Sequence, residues 1–113
     1  MRRNLTRKER IKKKSELKRV FNSAKSVYCR GLKLLYVENG FDYNRIAVSP
    51  VKRFDGAVSR NREKRVIREL FRLRKPELRK GYDFVFIVYP GAFSFYERQA
   101  QLDSLFDRTG LKE

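Results

Sequence analysis

Apolar residues recur along the chain with two periods, one helical and one alternating, and the changes between them mark the elements. Leu17, Val20, Phe21 and Ala24 form one stripe of a helix that Ser15 can cap and that runs to about Lys25. Three stretches of strand character follow: Ser26 to Arg30, Leu32 to Glu38 and Arg45 to Ser49. Gly31 and the Asn39-Gly40 pair break them apart. Pro50, which has no N–H for a ladder, ends the third, and Asp55-Gly56 marks a loop. Helical spacing returns from Ala57 to Arg74 and stops at Lys75-Pro76, because the residue before a proline resists the helical region. Gly81 restarts the chain. Tyr82 to Tyr89 is nearly continuous in aromatic and β-branched residues, which predicts a central strand covered on both faces. Pro90-Gly91 ends that strand. Ser94 and Glu97 then have the spacing of a capping box, and Phe95, Leu102, Leu105 and Phe106 trace one face of a last helix to about Arg108.

The order α-β-β-β-α-β-α predicts an α+β fold, a single small domain with helices packed on a central sheet, and 113 residues suit one modest core. The long helix lies in a strand-helix-strand crossover, a connection that is right-handed in nearly all proteins. Residues 1–14 carry eight basic residues and one acidic, with little apolar periodicity before Ile11, and predict a mobile basic arm.

Charge narrows the function. The chain has 29 Lys and Arg against 13 Asp and Glu, a formal net charge of +16, while 41% hydrophobic residues still support a folded core. Such a surplus repels itself in a compact state, so a polyanion that releases counterions on binding is the natural partner. No apolar run reaches the length of a membrane span, and the N-terminus lacks the apolar stretch of a signal peptide, which points to a cytoplasmic protein. Cys29 is the single cysteine and histidine is absent, which excludes an internal disulfide, a Cys/His zinc site and any histidine-based acid-base pair. Cys29 sits in a strand-like stretch and reads as a small buried hydrophobe.

On a helical wheel, Arg60, Asn61, Lys64, Arg65, Arg68 and Arg72 share one arc of the long helix, and Val66, Ile67, Leu70, Phe71 and Leu73 take the other side. The apolar arc anchors the helix, and the basic arc offers cations on successive turns to phosphates. Asn61 adds both a donor and an acceptor, which can serve a base edge or a ribose hydroxyl. Exposed charge is ordinary on helices, but Glu63 and Glu69, the only acids of the stretch, fall outside the basic arc, so the face cannot neutralise itself.

The segment Arg45 to Leu70, RIAVSPVKRFDGAVSRNREKRVIREL, resembles the signature of bacterial ribonuclease P proteins, in which a strand leads through a basic loop into a helix with an Arg-Asn-Arg core. Arg60-Asn61-Arg62, Lys64-Arg65 and Arg68 match that core, and the basic start, the Lys-Arg-Val-Phe of the first helix, the aromatic late strand and the final helix occur in the same order. The resemblance implies a protein that helps a catalytic RNA remove the 5′ leader of precursor tRNA. It implies RNase P RNA and precursor tRNA as partners, with neither membrane nor DNA. Chemistry would belong to Mg2+ held by the RNA subunit, without a catalytic side chain or a cofactor on the protein. It also implies a ribosomal-protein-like fold with a rare left-handed crossover. Carried over, Arg60, Asn61, Arg62, Lys64, Arg65 and Arg68 would contact RNA, with Lys52 and Arg53 of the preceding loop beside them. Phe21 would line a leader-binding cleft between the first helix and the sheet, with Tyr36 as its candidate on the sheet side; for both, core packing is the alternative. The chain departs from the pattern at Leu17, where a second aromatic is common, at Pro50, at Asp55-Gly56 and at Glu63.

A structural rRNA-binding ribosomal protein is the first rival, since a basic arm and helix would serve it equally well; the Arg-Asn-Arg signature disfavours it. A major-groove DNA reader would need a helix-turn-helix pair, for which there is no sign. A membrane-surface role would waste an apolar helix face better spent on the sheet.

Overall fold

In the computed structural model, which describes residues 7–113, the main elements are α1 (Lys14–Ser23), β1 (Lys25–Cys29), β2 (Leu32–Glu38), β3 (Arg45–Pro50), α2 (Gly56–Arg74), β4 (Tyr82–Val88) and α3 (Phe95–Thr109). The four strands form one mixed sheet in the order β1-β2-β4-β3. β1 and β2, joined across Gly31, are antiparallel, β2 is antiparallel to β4, and β3 is parallel to β4 through the α2 crossover. The aromatic run is therefore central, as its continuous apolar character requires. Four consecutive residues of β4, Asp83 to Phe86, are fully buried.

Alternation along the strands divides the side chains between two faces. One face, with Leu32, Leu34, Ile46, Val48, Phe84, Phe86 and Val88, packs against Ile67, Leu70 and Phe71 of α2 and Leu102, Leu105 and Phe106 of α3. Phe71 and Phe106 meet Phe84 and Phe86 at ring-centroid distances between 5.5 and 6.4 Å, mostly tilted or edge-on. The opposite face is smaller: Ile11 and Val20 cover Leu35 and Val85, with Leu17 and Ala24 beside them.

Ser94 accepts from the Glu97 amide at 3.1 Å while the Glu97 carboxylate accepts from the Ser94 amide at 2.9 Å, which closes the expected capping box at the start of α3. These bonds hold the Glu97 carboxyl below its ordinary range. Ser94→Ala is expected to lower stability by about 1 kcal/mol, read as a lower urea midpoint at unchanged slope; an unaltered midpoint would show that water replaces the cap. α1 differs from expectation, because Lys13 precedes it without a side-chain cap and Ser15 lies inside its first turn.

Of the basic arm expected over residues 1–14, residues 1–6 lie outside the described residues. The remainder is packed, not free. Arg7–Glu9 make a short 3-10 turn, Arg10 pairs in parallel with Ile46, and the Ile11 amide donates to the Ile46 carbonyl at 2.9 Å. The physical reason is the burial of Ile11, 6% exposed, between α1 and the sheet.

Candidate nucleic-acid interface

α2 places its cations by burying its other side. Ile67, Leu70 and Phe71 lie in the core, which leaves Asn61 and Arg65 exposed and Arg60, Lys64 and Arg68 half-exposed along the helix. Among the described residues, Arg62, Lys64, Arg65 and Arg68 form no ion pair, whereas Arg72 is paired with Glu69 and Arg74 with Asp103. Glu63, the acid that departs from the family pattern, turns away from the basic face to meet the buried Arg98 of α3 at 2.9 Å. The packed N-terminal segment adds a cation that periodicity did not place there: Arg10 stands close enough that, after burial, it is the next cause holding the Arg68 guanidinium below its ordinary range. Two such groups repel each other, and Glu9 beside Arg10 is engaged by Lys75 at 2.9 Å.

Arg60 is not the freely exposed residue that the wheel implies. It donates to the carbonyls of Val51 and Pro50, each at 3.3 Å, and so braces the loop between β3 and α2. Lys52 and Arg53, in that loop, are exposed, as is Arg62, which lies on the flank of α2 toward the loop before α3.

Phe21 and Tyr36 do not share a cleft. Tyr36 pairs with Phe84 and packs against the main core, on the face opposite α1, because Leu35 and Val37 on either side of it point to α1. Phe21 is 50% exposed, so core packing does not account for it. On α1, Glu16 and Arg19 reach Arg45 and Asp83, so the opposite flank, bearing Leu17 and Phe21, overlooks the next row of the sheet. That row runs Tyr28, Lys33, Ile87, Ser49 across four strands by register. Tyr28 is 57% exposed, and its ring meets that of Tyr89 edge-on at 6.3 Å. Tyr28 and Lys33 stand on this row beside Phe21, and alternation outward from Leu35 is the sequence signal for their face.

Burial raises the Cys29 thiol, with its Sγ 3.9 Å from the Gln101 carbonyl, which suits a packed thiol better than a nucleophile. Among the described residues, no group of three or more His, Cys, Asp or Glu side chains is placed to hold a metal ion, and no helix is long and apolar enough to cross a membrane.

A four-stranded mixed sheet, three helices and a helix whose Arg62, Lys64, Arg65 and Arg68 form no ion pair among the described residues define a small basic α+β protein of the RNA-binding kind. The Ribonuclease P family profile matches residues 5–110, and the chain belongs to the ribonuclease P protein family, which acts in tRNA 5′ processing. It is similar to the ribonuclease P protein component of Caldanaerobacter subterraneus subsp. tengcongensis, 36% identical over 115 residues, covering 100% of this chain and 97% of that one. The ribonuclease P protein component of Petrotoga mobilis is 44% identical over 81 residues, 72% of this chain and 69% of that one. Among solved structures, the Staphylococcus aureus RNase P protein superposes with a TM-score of 0.85 at 27% identity, covering 93% of this chain and 98% of that one. The Thermotoga maritima protein gives 0.80 at 29% identity, covering 88% and 96%.

Proposed function

We propose that this chain is the non-catalytic partner of RNase P RNA in the cytoplasm, and that it holds precursor tRNA for cleavage by magnesium bound to the RNA. The observation that carries this is the α2 face, where Lys64, Arg65 and Arg68 have no acidic partner among the described residues. Cations held on a rigid helix meet phosphates at small entropic cost and lower the repulsion between two RNAs. Lys52, Arg53, Arg60, Asn61 and Arg62 extend the same surface, Arg60 with the N–H groups that its loop carbonyls leave over.

The 5′ leader lies, in this reading, between α1 and the open row of the sheet. Phe21 and Tyr28 offer exposed rings to unpaired bases, and Lys33 offers charge to the backbone. The protein acts by differential binding and orientation and supplies no proton-transfer group.

The test is cleavage of a leader-bearing precursor tRNA by a bacterial RNase P RNA at low magnesium, with and without the protein. Stimulation with no cutting by protein alone is the expected result; cutting by protein alone would overturn it. Phe21→Ala with Tyr28→Ala is expected to weaken binding of the precursor about 10- to 100-fold, at roughly 1–3 kcal/mol per stacked base before non-additivity, and to leave mature tRNA bound as before. An equal loss for both substrates would remove the leader from this cleft.

A further inference from the structure

The face of α2 toward α3 carries a second feature, separate from the α1 cleft and bordering the basic surface of α2 at Arg53 and Arg62. A groove of about 460 Å3 separates the loop before α2 and its first turns from the Pro90–Ser94 loop. Arg53 and Arg62 line one side with Phe54, which also packs against the main core, and Phe93 forms part of the other. The Phe93 wall is built closely. An added Cβ at Gly91 would meet the Phe93 ring at 2.3 Å and one at Gly31 would meet it at 2.6 Å, so both glycines make room for it. The Arg98 guanidinium lies 4.6 Å from the centroid of the same ring and is itself fixed by Glu63 and by the carbonyls of Gly31 and Tyr89. Ala92 holds a left-handed backbone conformation (φ 53°) in that loop.

Charge favours an anionic occupant. Among the described residues Arg53 and Arg62 form no ion pair, and of the two acids in the lining, Asp55 and Glu63, the second is already matched by Arg98. Asp55, at the mouth, makes no capping bond and leaves an acceptor for the N–H groups of a base edge. Half-buried rings, unpaired guanidiniums and an open acceptor suit an unpaired nucleotide, its base against aromatic carbon and its phosphate against arginine.

We propose that this groove is a separate subsite for one unpaired nucleotide of the RNase P RNA, seated between Phe54 and Phe93 with its phosphate on Arg53 and Arg62. The inference rests on the reading of the chain as a partner of that RNA, and it adds a stacking contact to an interface otherwise made of charge.

Stacking and charge are separable by salt. Phe54→Leu and Phe93→Leu in the full chain are expected to weaken binding of a bacterial RNase P RNA at least fivefold while the slope of log Kd against log salt stays that of the parent. The preference of the assembled enzyme for precursor over mature tRNA should not change. Parental affinity in both variants would overturn the subsite. Because Phe93 is tightly packed and Phe54 packs against the main core, a second measurement uses the unaltered protein: amide shifts on titration with pentauridylate, with inorganic phosphate as control. Movement at Gly91, Ala92 and Ser94 with the oligonucleotide supports the subsite. Movement confined to the Tyr28 and Lys33 face, or reproduced in full by phosphate, overturns it. Failure of the parent protein to bind RNase P RNA at all would instead sink the reading on which the inference rests, and the pentauridylate shifts would still judge the groove.

Discussion

Asp83→Asn is expected to lower the stability of the whole domain by about 3–5 kcal/mol and to loosen α1 from the sheet. The Asp83 carboxylate is fully buried and accepts from Arg45 Nε at 2.8 Å and Nη2 at 2.7 Å, from Arg19 at 3.1 Å and from Asn39 at 2.9 Å. Hydrogen bonding to Asp83 is the chief cause that raises the Arg45 guanidinium above its ordinary range. An asparagine keeps the shape and one acceptor, but it turns an N–H group toward donors and leaves the buried Arg45 with Glu16, at 2.6 Å, as its one carboxylate partner among the described residues. Domains of this size are stable by roughly 5–15 kcal/mol, so the loss is a large share of the total. Urea unfolding checks it, with a midpoint fall of about 2 M at unchanged slope. Faster tryptic cleavage at Lys18 or Arg19 should accompany the fall. A parental midpoint would mean that the network only offsets its own desolvation.

The second large effect concerns binding. Lys64→Ala, Arg65→Ala and Arg68→Ala together are expected to weaken RNase P RNA binding on the order of 100-fold near physiological salt and to reduce the salt slope by about 2 to 3. None of the three has a carboxylate partner among the described residues, so their removal strands no buried acid. Stability should therefore hold or rise slightly as self-repulsion falls. Arg72→Ala is the comparison, because Glu69 already takes part of that charge. Filter binding across a salt series reads both quantities. An unchanged slope in the triple variant would take the phosphates off this face.

Local signals carried most of the architecture into the sequence. The Ser94 and Glu97 spacing marks the start of α3, continuous apolar character places β4 at the centre, and segregation on the α2 wheel separates buried Ile67, Leu70 and Phe71 from the cations. What escaped depends on contacts between distant residues. Of the two readings open for Tyr36, cleft and core, the structure has the core, and only pairing with Phe84 fixes this, because a one-residue step reverses a strand side chain. A helical wheel leaves Arg60 free, because its carbonyl partners sit 9 and 10 residues back, just after β3 and at its end. Ile11, a lone apolar residue in a basic stretch, gives no periodicity, yet its burial pins residues 7–13 to the sheet and brings Arg10 to Arg68. Arg98 and Asp83 look like surface charges until their partners, 35 and 38 residues away, are known.

The pinned N-terminal segment also bears on self-association. A mixed sheet ends in two edge strands, each a template on which another chain can add a strand. Here β3 is met by Arg10 and Ile11, and on β1 the Tyr28 carbonyl already accepts from Arg108 of α3. A second copy that extended the sheet at Ile46 or Tyr28 would meet these groups, while bringing a net charge of +16 against its equal. Obstructed edges and shared sign both oppose growth of the sheet by a second copy.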